Sequence, residues 1–330
     1  MSKCEITADN RALIRKTRTM SARLPCLVAI ILGTTLLKLQ GQVQNLIEAL
    51  NKVDAKTPRE LRFELGTPLP QGGHLQGIQW WQDSLLLSGS STDHAYMLTI
   101  PLTNHATLPA KHTNLLPSPF RHAGGFQVMS GRYVAVGLED NHTKDRSKIW
   151  ILDWQTSKTN PIIKIDRKGT IKRTTAGAVA MGVVGSKTLL LVGTWDNATI
   201  DFYWSNSPTL DEKTNFTLQE TWTITDAVRS NWNDPSYGSY QNMNLITDEE
   251  GHHYLATFCL DNATNRLDLF ELQLDKQTPT AKRFVKRASK VFRCDKTTFK
   301  AGAGLRVLKD GSLKVYACSH RDSIIEVFEN

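Results

Sequence analysis

The chain has 330 residues, 40% of them apolar and 22% charged, with a formal charge of +8. That apolar share excludes disorder over most of the length and is enough for one large domain or two ordinary ones. The charge sits mainly at the start: residues 1–40 hold seven Lys or Arg against two acids, which leaves +3 for the rest and argues against a chain-wide nucleic-acid footprint. Within this leader, Leu24 to Leu37 is a 14-residue run without a charge, preceded by Arg23. It is short for a membrane span and of the right length for the apolar part of an export signal, with Met20 as an alternative start. Export to a secreted, periplasmic or cell-envelope location is the expectation for residues 1–40, and the alternatives are a retained membrane anchor and a soluble internal segment. Residues 41–58 follow as a short helix or linker. Val43, Leu46, Ile47, Leu50 and Val53 recur at helical spacing, and Pro58 ends the pattern. Leu61, Phe63 and Leu65 then alternate with Arg62 and Glu64 as a half-exposed strand.

From residue 59 to 330 the chain repeats itself. Five apolar segments each lead to an aspartate: LLLSGSSTD at Asp93, YVAVGLED at Asp140, LLLVGTWD at Asp196, YLATFCLD at Asp261 and VYACSHRD at Asp322. The period, between 47 and 65 residues, suits repeated sheet units. In each unit a strand rich in small residues comes first, around Gly77, Gly125, Gly177, Gln241 and Gly302. The aspartate-terminated segment is second, and a third follows (AYMLTI, KIWILDW, IDFYWS, RLDLFELQL, IIEVFEN). Small residues in the first strand fit an axis where neighbouring units converge. Fourth strands are expected at Ile162–Lys168, Phe216–Ile224 and Ala281–Arg287. The last unit stops after three, so Leu61–Leu65 is expected to supply its fourth and to remove an exposed edge. These readings lead to an all-β fold, a five-bladed β-propeller over residues 59–330 closed by strand 61–65.

In an antiparallel meander the start of strand one and the end of strand two share an edge. His74 and His122 therefore join Asp93, Asp140, Asp196, Asp261 and Asp322 at one mouth, with Arg121, Tyr240 and Gln241 as further specificity groups. Such a rim suits a polar small molecule, a glycan, a protein partner or a divalent cation. The aspartates have a structural reading as well, because Asp-Asn-Ala-Thr, present at Asp196 and at Asp261, is ordinary hairpin-turn sequence. Lys282, Arg283, Lys286, Arg287, Lys290 and Arg293 form a basic run whose expected role is an outer face for an anionic surface or protein. Its aromatics, Phe284 and Phe292, read as core positions of a strand and not as an exposed stacking surface, which disfavours nucleic acid. Cys259 and Cys318 occupy equivalent second strands, with Cys294 between them, and read as buried small side chains. Asn141, Asn197, Asn215 and Asn262 head Asn-x-Thr sequons, acceptors only where glycosylation machinery exists.

The repeat organisation resembles the five-bladed propellers shared by some glycoside hydrolases, nucleotidases and lectins, and a fold of this kind does not choose among functions. The segment Asn231-Trp232-Asn233-Asp234-Pro235 is similar to the Trp-x-Asn-Asp-Pro motif of invertase- and levanase-like glycoside hydrolases. That resemblance implies a nucleophilic role for Asp234. A retaining hydrolase needs a second carboxyl group nearby, for which Glu139 and Asp140 are the candidates. The motif enters the fourth unit here and not the first, and the Arg-Asp-Pro and Glu-Cys segments of those enzymes are absent. The expectation is an exported binding or interaction module, with a hydrolase acting at the mouth as the alternative.

Overall fold

A computed structural model describes residues 42–66 and 68–330; the leader readings, including Met20, Arg23 and Leu24 to Leu37, lie outside them. The first element is helix α1 (Leu46–Lys52), whose start is fixed by Asn45: its side-chain oxygen accepts from the backbone N–H groups of Ile47 and Glu48, each at 3.1 Å. Its other end is held by Lys290, whose Nζ donates to the carbonyls of Leu50, Asn51 and Val53. A cation at a helix C-terminus satisfies orphan carbonyls and complements the helix dipole. Among the described residues no helix is long and apolar enough to cross a membrane.

Strand β1 (Arg59–Leu65) precedes four antiparallel meanders. The first contains β2 (His74–Trp81), β3 (Ser84–Ser90), β4 (His94–Pro101) and β5 (Thr107–Pro117). The second contains β6 (His122–Met129), β7 (Tyr133–Glu139), β8 (Arg146–Asp153) and β9 (Ile163–Lys168). The third runs through β10 (Ala178–Val184), β11 (Lys187–Gly193), β12 (Thr199–Ser205) and β13 (Phe216–Thr223). The fourth runs through β14 (Tyr240–Thr247), β15 (His253–Asp261), β16 (Thr264–Leu272) and β17 (Phe284–Phe292). Three strands remain: β18 (Ala303–Val307), β19 (Leu313–Cys318) and β20 (Ile324–Phe328). Strand β1 lies antiparallel to β20, with Arg59 opposite Val327 and Arg62 opposite Ile324, and its second half runs parallel to β5. It thereby links the last group of strands to the first meander.

The first strands β2, β6, β10, β14 and β18 pack against one another in cyclic order. Approach at this axis is close enough that a β-carbon on Gly124 would stand 2.2 Å from the Gly177 carbonyl oxygen, and one on Gly304 would stand 2.1 Å from that of Ile78. Gln127 ties three inner strands together, its Nε2 donating to the Leu245 carbonyl and its Oε1 accepting from the N–H groups of Met181 and Leu245.

Apolar layers fill each seam between neighbouring groups of strands. Leu86, Met97, Phe126 and Val136 pack between the first and second meanders, and Ile149, Val179, Leu190 and Tyr203 between the second and third. Phe202, Trp222, Leu255 and Phe270 fill the next seam. Phe258, Phe292, Val315 and Phe328 fill the one after it, together with Leu46 and Leu50 of α1. Leu87, Leu98, Tyr316 and Ile325 complete the set. Strands β3 and β6 are buried at every position, which explains why their sequences read as near-continuous apolar and small-residue runs. The described residues are predominantly β and form propeller-like sheets, as the all-β expectation required.

Two details differ from the sequence reading. The fourth strand expected at Ala281–Arg287 runs instead over Phe284–Phe292, because Thr280–Lys282 closes a 3₁₀ turn after Pro279. The first meander has a fourth strand, β5, that the sequence did not suggest. Pro109 interrupts its pattern where β5 has passed the end of its register with β4, at Lys111, and pairs with β1 alone.

Candidate binding site at the mouth

His74 opens β2 opposite Ser90 at the end of β3, and His122 opens β6 opposite Glu139 at the end of β7. These pairings put strand-one starts and strand-two ends on one edge. At that edge the side chains form a chain across the strand groups. The His74 ring lies 4.7 Å from that of His320, which follows β19, and 6.2 Å from that of His122. His122 meets Trp195, which follows β11, edge-on at 6.2 Å. Gln241 of β14 then donates through Nε2 to the Trp195 carbonyl at 3.1 Å. Lys144 extends over Trp195, with Nζ 4.1 Å from the ring centroid.

The centre of this edge is polar and buried. His122 is 4% exposed and Glu139 fully buried. Glu139 Oε2 accepts from the Ala176 N–H at 2.7 Å, whereas Oε1 lies 3.0 Å from His122 Nδ1 without the alignment of a hydrogen bond. Both atoms lack a directed partner. Burial pulls the pKa of His74 below its usual 6.5, and the neighbouring His320, His122 and Arg321 add to the effect. His320 is lowered as well, by burial and then by Arg321 and Lys300. Near neutral pH both imidazoles are thus neutral, each able to donate at one nitrogen and accept at the other.

Arg121 bonds the Thr92 carbonyl at 2.6 Å and lines a cavity of about 340 Å³ together with Pro119, Asp140, His142 and Arg146. Tyr240, in contrast, is fully buried and gives its hydroxyl hydrogen to Asp268, inside the fourth meander and away from the opening.

The five repeated aspartates do not form one carboxylate cluster. Asp140 accepts from Arg146 and from the N–H groups of His142 and Thr143. Burial raises its pKa, but these hydrogen bonds outweigh it and bring the value to about 2. Asp196 accepts from Ser239, Asp261 pairs with Arg266, and Asp322 closes a turn with Ser319. Asp93 is exposed, and its carbonyl accepts from the Ser118 N–H. What reaches the centre is the residue one or two places earlier: Glu139, Trp195 and His320. Trp195, His320 and Lys144 also lie at this edge, and none of them carries a repeat signal of its own in the sequence. Among the described residues, the converging trio of potential metal ligands is Asp248, Glu250 and His252, in the β14–β15 turn at the opposite edge.

The Asn231–Pro235 segment docks on β17, the outermost strand of its meander. Trp232 Nε1 donates to the Phe284 carbonyl, and Asn233 Nδ2 to that of Arg287. Asp234 accepts from Ser236 and from Lys286 Nζ, which hold its carboxyl well below the usual range. It shares no partner with Glu139 or Asp140, and the structure does not bring it to the mouth.

The basic run also needs correction, because it is not one exposed face. Lys286 is 1% exposed and Arg283 is buried against Glu220. Arg287 pairs with Glu271, while Lys290 caps α1. Lys282 and Arg293 remain exposed, the latter beside Asp295. Cys259, Cys294 and Cys318 are free thiols whose pKa values burial raises. Of the sequon asparagines, Asn215 and Asn262 are exposed, Asn141 is half-buried and Asn197 is fully buried.

No protein-family model and no curated protein sequence matches the chain. Solved structures do resemble it at low identity. The Dos1 propeller is 12% identical, with 77% of this chain and 68% of that one covered at a TM-score of 0.35. A Bombyx mori GH32 beta-fructofuranosidase is 10% identical over 82% of this chain and 60% of its own length, at a TM-score of 0.43. The Nup133 β-propeller domain of Vanderwaltozyma polyspora is 12% identical, with 84% and 83% covered and a TM-score of 0.33.

Proposed function

We propose that the chain is a five-bladed propeller serving as an exported binding or interaction module, and that its mouth recognises a polar, hydrogen-bonding ligand such as a glycan. The observation that carries this reading is the meeting of His74, His122, His320 and Trp195, from four different strand groups, around a buried His122–Glu139 contact without directed hydrogen bonds. A ligand hydroxyl can donate and accept at once, which suits the neutral imidazoles of His74 and His320 beside this buried pair. The indole edge and neutral imidazoles offer an apolar body with polar tips, a combination suited to sugar rings.

Thermal melting of the protein across a panel of oligosaccharides and other polar small molecules tests the proposal. The expected result is a concentration-dependent rise in Tm, because a ligand selective for the folded state adds stability. The rise should disappear in Trp195→Ala and His122→Ala while both variants still fold. A flat response across a broad panel would overturn the small-ligand form. Turnover of a panel member that falls at least ~100-fold in Asp140→Asn or Asp234→Asn would replace binding by acid–base or nucleophilic catalysis.

A further inference from the structure

A second cavity lies far from the mouth, at the seam that β1 makes between the last strands and the first meander. Trp80 at the end of β2, Arg306 on β18 and the β4–β5 turn place it at the edge opposite His74. Its volume is about 240 Å³. Leu61 and Leu108, from the parallel pair β1 and β5, give it an apolar floor beside Trp80. Its rim is cationic, with Glu60 as the one acidic residue of the lining.

Most of that positive charge is already answered. Arg59 pairs with Glu329, Arg62 with Glu60, and Lys314 with Glu329. Arg306 is different: its guanidinium carbon lies 3.4 Å from the centroid of the Trp80 ring, and it has no carboxylate partner among the described residues. Tyr316 stacks on Trp80 at 6.4 Å and lines the same cavity; its buried hydroxyl lies close enough to Arg306 for the guanidinium to oppose the upward pull of burial on its pKa, yet it makes no well-aligned hydrogen bond. Burial raises the pKa of that phenol to about 12, so it stays protonated and donates. A buried donor left unpaired costs stability, and a guanidinium fork matches a carboxylate.

The site thus combines donors that need an acceptor, a charge that needs an opposite charge, and an apolar floor. An inorganic anion would leave the floor unused, and a neutral acceptor would leave Arg306 unneutralised. We propose that this seam cavity binds a small organic anion, a carboxylate whose oxygens accept from Arg306 and Tyr316 while its apolar body covers Trp80 and Leu108. The cavity is smaller than the ~300–1,000 Å³ of drug-sized sites, which limits the ligand to about one or two rings. The inference does not depend on what the mouth binds.

The test is calorimetric titration of the full chain with 1-naphthoate and with 1-naphthamide, which has a similar shape and no charge. Saturable one-to-one binding of naphthoate is expected, at least ~10-fold tighter than naphthamide and weakened by salt. Arg306→Gln should lower naphthoate affinity at least ~10-fold, and Tyr316→Phe ~3-fold or more, each with the melting transition retained. Should Arg306→Gln fail to fold, the indole N–H resonance of Trp80, assigned by its loss in Trp80→Phe, provides a readout in the unmodified protein and should move on titration. Absence of saturable naphthoate binding, equal affinity for the amide, a Trp80 resonance that does not move, or affinity indifferent to both substitutions would overturn the proposal.

Discussion

Lys286 shows how far a residue's sequence neighbourhood can mislead about its role. It stands in the most basic stretch of the chain, yet its ammonium group is buried and contacts Asp234 at 3.0 Å, Asp268 at 3.1 Å, and the carbonyl and hydroxyl oxygens of Ser236. Asp268 in turn accepts from Tyr240, Arg266 and Ser289. Removing one partner of a buried ionic network leaves the others uncompensated, so Lys286→Ala is expected to cost ~3–5 kcal/mol in urea unfolding. Asp234→Asn should cost ~1 kcal/mol or less, because its side chain is 47% exposed. A loss under ~1 kcal/mol for Lys286→Ala would show that the network contributes little. Linear charge counting cannot see that Arg283 to Lys286 is buried throughout while Lys282 and Arg293 of the same run stay exposed.

The mouth histidines carry a pH signature. In the folded chain His74 and His320 titrate below the ordinary 6.5, so the unfolded chain binds protons at a pH where the folded one does not. Stability therefore rises with pH across this window, and falls as pH drops through about 6.5 toward the folded values. Melting temperatures measured between pH 8 and 5 should decline on the acid side, with a shallower decline in a His74→Asn/His320→Asn variant. His112 and His253, also lowered by burial, supply the residual slope. The sequon residues invite a second measurement on the intact protein. Asn197 is buried with a φ of 50° and its Nδ2 against Met243 Sδ, so glycopeptide analysis of material from a glycosylating host should find Asn197 bare even if Asn215 or Asn262 is occupied.

At the scale of elements, the inner strands depend on Gln127. Replacing it with Leu leaves the carbonyl and N–H of Leu245 and the N–H of Met181 buried without partners. The expected cost is ~2 kcal/mol or more by urea unfolding, since each buried unpaired group is worth ~1–3 kcal/mol. Elements with strong period or strong apolarity were legible from sequence: first, second and third strands announced themselves by small residues, apolar runs and aromatic content. Outer strands did not. Strand β5 carries Pro109, Lys111, His112 and Asn114 and is half-exposed along its length, and β17 begins three residues later than its basic sequence suggested. Solvated strands need neither strict alternation nor β-branched residues, so their pattern is weak. The same limit applied to the mouth. An edge can be read from strand order, but which side chain of a loop turns inward depends on turn geometry, and so Trp195 and His320 stayed hidden behind the more regular aspartates.

For the whole molecule, the decisive contact joins positions that are far apart in sequence. Arg59 bonds Glu329 across 270 residues, and the β1–β20 pairing surrounds that contact. A variant that begins at Gly66 lacks both β1 and α1 and is expected to lose the melting transition or to aggregate, because the β20 edge and the seam around Phe63, Ile325 and Val327 become exposed. Retention of the full-length transition would show that β1 is dispensable. The pairing also sets a schedule. At roughly 5–20 residues per second of synthesis, those 270 residues separate the making of β1 from that of its partner by about a quarter of a minute to a minute. During that interval β1 can pair with β5 through Arg62–Leu65, but Arg59–Arg62 lack their β20 partner. Moving residues 58–66 behind residue 330 through a short linker should convert this late encounter into a hairpin, speeding refolding and raising its yield after dilution from urea. The strand that seals the sheet is thus made well before the partner it pairs with, and must wait for it.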